Sequence, residues 1–378
     1  VARRVTADEL PDEERAARVA LALVPGIGHA RQRILLSACS TAYGALAAPF
    51  EFLCTLPGVS RACATAIKGS SVSEGERVLR EVESHGGQCL LPGDPAYPRI
   101  LSTIPEPPAA LFAMGTLELL DRPAVAVVGS RDHSAYGADA CRLVVSAAAL
   151  GGLAVVSGMA RGLDAVAHLA ALDAGTATIG VLGNGFGVIY PAANRMLYER
   201  MRREGLLLTE FPPGHRPHAG SFQRRNRLIS GLARVTVVVE AAAGSGTLIT
   251  VDAALNQGRD VMVVPGPVTS PTSVGTNRLL RDGATPFLEA ADLLAAFPEV
   301  LARHGAASPP PDPVALPPGS PLTPLEQRLL RSLDRMPRHL DALVEVLGAP
   351  PADVLAALCA LELYGVARQE PGRRFLRA

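Results

Sequence analysis

The chain has 378 residues, of which 48% are hydrophobic and 19% charged. That is too long for one typical domain and apolar enough for a sizeable core. The 36 basic and 36 acidic residues cancel, so no global field draws the protein toward nucleic acid or membrane, and a charged partner has to be met by a local patch.

The N-terminal region, 1–84, reads as helical. Within it "LVPGIGHARQRILL" (23–36) and "LPGVSRACATAIK" (56–68) form a short internal repeat, each an apolar-Pro-Gly-apolar-small turn followed by a helix. Six cysteines contain no C-x-x-C pair, which argues against a zinc site or a disulfide framework. No apolar run approaches 18 residues and the opening "VARRVTADEL" is not a signal peptide, so the expectation is a soluble cytoplasmic protein without membrane contact.

Region 85–298 alternates short apolar runs with helical patterns. "AVAVVG" (124–129), "LAVVSG" (153–158), "TATIGVLG" (176–183), "LLLTEF" (206–211), "VTVVVE" (235–240) and "DVMVVPG" (260–266) predict six strands with intervening helices. The fold class is α/β, a Rossmann-like, doubly wound, mostly parallel sheet covered on both faces. Residues 299–322 are rich in Pro, Ala and Ser and read as a linker. The last unit, 323–378, begins at Thr323 and Pro324 with Glu326 completing a capping box. Three helices and a hairpin turning near Pro371 and Gly372 predict a winged helix there.

Ligands of doubly wound sheets bind outside the carboxyl ends of the strands. Those ends carry Gly129, Ser130 and Arg131; Ser157, Gly158, Arg161 and Gly162; "GNGFGVIYP" (183–191); Phe222, Arg224, Arg225, Asn226 and Arg227; and Gly244, Ser245, Gly246 and Thr247. Glycines and hydroxyls let backbone amides close on phosphate, and arginines add bidentate donors. The three arginines between 224 and 227 are expected at a helix start, where the macrodipole disfavours cations unless an anion sits there. A dinucleotide fingerprint and a Walker A loop both fail on specific residues. From Phe211 to Val239 there are five arginines, two histidines and no carboxylate, and Phe222 adjoins the cluster. Arginines on phosphate with an aromatic ring under bases suit single-stranded nucleic acid.

Together "GSR" (129–131), "SGMARGLDAVAH" (157–168), "GNGFGVIYPAANRML" (183–197), "FQRRNRLISGLA" (222–233), "VVVEAAAGSGTLIT" (237–250) and "GRDVMVVPGPV" (258–268) resemble the DNA-processing protein A family (DprA, also called Smf). The resemblance implies a homodimeric, non-enzymatic mediator of recombination without a cofactor or metal. Such a protein binds and protects incoming single-stranded DNA in natural transformation. It displaces single-strand-binding protein and helps load a RecA-type recombinase. The residues named above would form the DNA pocket. The N-terminal repeats are similar to helix-hairpin-helix motifs of a SAM-like domain, whose glycine hairpins bind phosphate. The winged helix could take duplex DNA or a protein partner. Two alternatives stand beside this reading. One is a nucleoside-monophosphate phosphoribohydrolase, whose carboxylate would be Glu240 or Asp164, the latter also placed to orient Arg161. The other is a protein-interaction scaffold without DNA affinity.

Overall fold

The computed structural model describes residues 10–300, 322–333, 338–370 and 374–377. The chain divides into two compact units, Val1–Ala302 and Arg303–Ala378. The first opens with six helices: α1 (Asp12–Leu23), α2 (His29–Cys39), α3 (Ala42–Ala47), α4 (Phe50–Thr55), α5 (Arg61–Lys68) and α6 (Val72–Ser84). Glu14 is a carboxylate buried to cap α3, accepting from the amides of Ala42 (2.9 Å) and Tyr43 (3.0 Å). α1 crosses α6 at Gly75, where a Cβ would stand 1.9 Å from the Ala16 carbonyl oxygen. The two repeats form matching hairpins, with Gly26 at φ +82° and Gly58 at φ +76°. Arg31 ties them together by donating to both glycine carbonyls. Ala17, Leu21, Leu35, Leu53 and Ile67 build a core among these helices. Val19, Val78 and Val82, on their other side, pack with Phe112 and Leu207 of the sheet.

The sheet has nine strands: β1 (Gln88–Leu90), β2 (Leu111–Gly115), β3 (Ala124–Val128), β4 (Ala154–Ser157), β5 (Thr178–Val181), β6 (Leu206–Thr209), β7 (Val235–Val238), β8 (Asp260–Val263) and β9 (Thr285–Pro286). Their order is β1-β2-β6-β5-β4-β3-β7-β8-β9. The six strands read from the sequence are β3–β8, and all neighbours among them pair in parallel. The sequence reading missed β1 and β2, which pair antiparallel at one edge, and β9 at the other. β1 and β9 span three and two residues, too short to show a period. The helices between strands are α7 (Arg99–Ser102), α8 (Ala135–Leu150), α9 (Leu163–Asp173), α10 (Arg195–Glu204), α11 (Ala219–Gly231), α12 (Thr247–Asn256) and α13 (Val274–Arg281), and α14 (Ala290–Ala295) follows β9. Along β3, Ala124, Ala126 and Val128 enter one core while Val125 and Val127 enter another, so both faces are covered. From β3 the chain winds outward through β4, β5 and β6, then returns to β3's other side as β7. The β3–β7 junction is therefore the topological switch point, where crevices for ligands open.

The second unit contains α15 (Pro324–Ser332), β10 (Arg338–His339), α16 (Leu340–Leu347), α17 (Pro351–Leu363), β11 (Ala367–Glu370) and β12 (Arg374–Arg377). The expected capping box is present: Thr323 Oγ1 accepts from the Glu326 amide and the Glu326 carboxylate from the Thr323 amide. β11 and β12 form the expected antiparallel hairpin, with β10 added to β12. Leu329, Leu343, Leu358 and Phe375 fill its core. This is a winged helix. The turn at Pro371 and Gly372 and most of the proline-rich linker lie outside the described residues. No single helix among the described residues is long and apolar enough to cross a membrane.

Candidate nucleic-acid interface

The helix carrying the arginine cluster starts earlier than the sequence suggested. His218 is the N-cap of α11: its Nδ1 accepts from the Ser221 amide (3.3 Å), and Ser221 Oγ accepts from the His218 amide (3.0 Å). Arg224, Arg225 and Arg227 thus lie in the second and third turns, beyond the reach of the N-terminal dipole. The expectation that they crowd a helix start is overturned.

Their side chains also go elsewhere than expected. Arg225 is 3% exposed. Its Nη1 donates to the carbonyls of Val181 (2.6 Å) and Gly158, joining the ends of β5 and β4. Asp164 lies beside it, with Oδ2 accepting from the amides of Gly158 (3.1 Å) and Ala160 (3.3 Å). Asp164 therefore braces Arg225 and the loop backbone rather than orienting Arg161. Burial raises the Asp164 carboxyl above the usual range, opposed by the Arg225 charge. Burial lowers Arg225 to about 10, opposed by Asp164, so it stays cationic at neutral pH. Arg224 and Arg227 converge on Glu210, whose side chain is 2% exposed, at 3.0 and 2.6 Å. Arg227 is mostly covered at 16%, whereas Arg224 is 54% exposed and stands over the Phe211 ring. Of the three arginines, only Arg224 presents itself to solvent.

A pocket of about 130 Å³ opens at the ends of β4 and β5 and brings together Arg131, Arg161, Tyr190 and Phe222, with Arg225 in its lining. Gly162, at φ +78°, makes this possible. A Cβ there would lie 2.4 Å from the Ser130 carbonyl oxygen, so only glycine lets the 157–162 loop close on the 129–131 loop. The Leu163 amide then donates to Ser130 O at 3.1 Å. Arg131 and Arg161 are exposed, and neither forms a salt bridge among the described residues. The Phe222 ring lies over Gly183, where a Cβ would meet its Cδ1 at 2.6 Å. Tyr190 faces it at 5.4 Å between ring centroids, tilted by 35°, and the Arg131 guanidinium sits 5.8 Å from the Phe222 centroid. Two exposed cations beside one exposed and one half-buried ring suit phosphate and stacked bases.

Tyr190 was not singled out from the sequence, although its segment was. Its signal is an aromatic residue in a glycine-rich loop at a strand end. Asn184 and Asn194 were missed as well. The Asn194 amide donates to the carbonyls of Met159 and Ala160, both at 3.0 Å, and Asn184 donates to Val188 O at 2.7 Å. They fix the loops that frame the pocket.

Several expected site residues play supporting parts. Ser157 is fully buried, donating to Val127 O at 2.7 Å. Gly244, Ser245, Gly246 and Thr247 do not line the aromatic pocket. Thr247 Oγ1 instead donates to Gly129 O at 3.1 Å, joining the loops across the switch point. Asn226 is half-buried on α11. Glu240, the carboxylate of the ribohydrolase alternative, is 1% exposed and accepts from the Ser134 amide and hydroxyl and from Thr272 Oγ1. It anchors the start of α8. Among the described residues no three His, Cys, Asp or Glu side chains are grouped to hold a metal.

A Rossmann-like sheet with an arginine- and aromatic-lined pocket at its strand ends, followed in sequence by a winged helix, defines the class. Residues 88–298 match the family model described as DNA recombination-mediator protein A, and residues 309–373 match the DprA winged helix domain. The chain belongs to the DNA recombination-mediator protein A (DprA/Smf) family. It is 35% identical over 328 residues to Protein Smf of Synechocystis sp., covering 79% of this chain and 82% of that one. With the DNA processing protein DprA of Streptococcus pneumoniae it shares 43% identity over 204 residues, 54% of this chain and 72% of the other. The X-ray structure of that S. pneumoniae protein aligns with a TM-score of 0.65 at 31% identity, covering 76% of this chain and 98% of that one. A DprA from Helicobacter pylori, described for its single-stranded DNA binding mode, aligns with a TM-score of 0.51 at 28% identity over 56% of this chain and 96% of its own.

Proposed function

We propose that this protein binds single-stranded DNA in the Arg131–Arg161–Tyr190–Phe222 pocket and acts as a recombination mediator rather than an enzyme. In this reading it protects incoming strands in natural transformation and helps a RecA-type recombinase replace single-strand-binding protein. It works as a homodimer. The observation that carries the reading is the pair of exposed guanidiniums lining one pocket with the exposed Tyr190 ring and the half-buried Phe222 ring. The single-stranded DNA binding described for the H. pylori relative supports it. The ribohydrolase reading loses ground because Glu240 is occupied as a buried helix anchor.

Fluorescence anisotropy on labelled oligo-dT tests the proposal. Phe222→Ala removes a stacking platform, and stacking contributes roughly 1–3 kcal/mol per base, so affinity should fall about tenfold or more. Arg131→Ala should weaken binding in the same assay. Unchanged affinity in both variants would remove the pocket from consideration. Release of free base from AMP or CMP by the purified protein would restore the enzyme reading.

A further inference from the structure

The winged helix contains a helix-turn-helix. α16 and α17 meet at 110° across a three-residue turn, 348–350, in which Gly348 has φ +58°. In DNA-binding pairs of this geometry the second helix enters the major groove, and its first turns meet the base edges. Here that helix is α17. Its exposed residues are Pro351, Ala352, Asp353, Leu355, Ala356 and Cys359. None is an Arg, Lys, Asn or Gln that could read a base, and the one charge would face phosphate with its own sign. From 340 to 363 the sequence has four carboxylates, Asp341, Glu345, Asp353 and Glu362, and no Arg, Lys or His. Among the described residues, the unit's arginines stand on α15 and the strands instead.

What α17 presents is apolar surface. Val354, Ala357, Leu358 and Leu361 are buried in the unit's core. Ala352, Leu355, Ala356 and Cys359, at i, i+3, i+4 and i+7, form a second apolar stripe on the side turned to solvent. A helix that is apolar all round belongs in an enclosed place, and α17 is enclosed on one side only. Leu355 is 43% exposed, and Val346 on α16 is 63% exposed. The exposed charges of the helix pair are Asp341, Glu345 and Asp353, all of one sign. Such a face complements an apolar stripe flanked by cations. It repels nucleic acid, and it disfavours a second α17, which would bring like charges together.

We infer that α17 is a docking face for a cationic amphipathic helix of a partner protein, laid apolar side to apolar side along 352–359, and is not a reader of duplex DNA. This face is independent of the pocket on the first unit.

The probe is a fluorescein-labelled peptide of about 18 residues, long enough to hold a helix, with leucine on one side and lysine on the other. A counterpart carries glutamate in place of lysine. By anisotropy the full chain should bind the lysine peptide and not the glutamate peptide. Leu355 is exposed, so Leu355→Arg leaves the fold in place, and it should weaken the lysine peptide about tenfold or more. Leu355→Met keeps the apolar surface and should bind as the unaltered chain does. Asp353→Asn keeps the shape and should lower the affinity severalfold. Equal binding of the lysine peptide by Leu355→Arg, or by a chain lacking 303–378, overturns the assignment. So does loss of blunt duplex binding in Ala356→Glu, which would put α17 in a groove. A fall in assembly mass for Leu355→Arg by light scattering overturns it too, because the face would then join copies of this chain.

Discussion

Arg131 and Arg225 look alike in the sequence and do opposite things in the fold. Arg131 is exposed and stands beside the Phe222 ring. Arg225 is buried and holds two strand ends through their carbonyls. Leaving a buried polar group without its partner costs about 1–3 kcal/mol, and losing Arg225 would strand two strand-end carbonyls and remove the charge beside buried Asp164, whereas surface substitutions stay within about 0.5 kcal/mol. Arg225→Ala should therefore lower the unfolding free energy by several kcal/mol in urea titrations, while Arg131→Ala leaves it unchanged and lowers DNA affinity. If Arg225→Ala unfolds at the unaltered urea midpoint, the clamp is not structural. The sequence could not separate these roles, because nearly every basic residue here is arginine and burial depends on contacts across the sheet. Gly158 and Val181, which accept from Arg225, are 67 and 44 positions away from it.

A second residue-scale expectation concerns pH. His168 is wholly buried, with Nδ1 2.7 Å from Thr178 Oγ1, and desolvation lowers its pKa to about 3. The folded state thus resists protonation that the unfolded chain accepts near the ordinary value of 6.5. Its contribution is fully present above pH 6.5 and is lost as pH falls toward 3. At pH 5 the loss relative to neutral is about 2 kcal/mol. His168→Gln should flatten that part of the stability-against-pH curve, as read by urea unfolding at pH 7, 6 and 5. An unchanged slope would show that His168 titrates normally.

At the scale of elements, the six parallel strands were legible because each is a short apolar run buried on both faces, and most run into glycine or a small residue. The edge strands were not: β1 and β9 are only three and two residues long, and β1 and β2 pair antiparallel, β2 with β6 far along the chain. The beginning of α11 was misplaced for a chemical reason. Its N-cap is a histidine, outside the usual Ser, Thr, Asp and Asn set, and it follows a proline- and glycine-containing stretch that gives no helical signal. That misplacement reverses a stability expectation. Arginines at a helix start would repel the dipole, and their removal would stabilise. As placed, they satisfy Glu210 and the strand ends, so changing Arg224, Arg225 and Arg227 together to glutamine should lower the melting temperature. Arg224→Gln alone should change stability by less than about 1 kcal/mol, since Arg224 is half exposed and Arg227 still holds the buried Glu210. A rise in melting temperature of the triple variant would restore the dipole argument.

At the scale of the whole molecule, zero formal net charge makes binding a local affair. Counterion release counts only the phosphates actually neutralised, at about 0.7 per contact for single strands. In the proposed reading Arg131 and Arg161 would supply two such contacts in the pocket, and Arg224 on the α11 ridge a third. For a short oligonucleotide log K against log salt should have a slope of about −1.5 to −2. The winged helix has its own hydrophobic core, and each of the other four cores is built wholly from residues of the first unit. Deleting residues 303–378 should therefore leave the first unit folded, with the same slope and affinity for that oligonucleotide. Anisotropy over a salt series on both proteins measures this directly. A slope near −4 in the full chain, falling to −2 on deletion, would place phosphate contacts in the winged helix. The same slope of −4 in both would place additional cations of the first unit on the strand, beyond Arg131, Arg161 and Arg224.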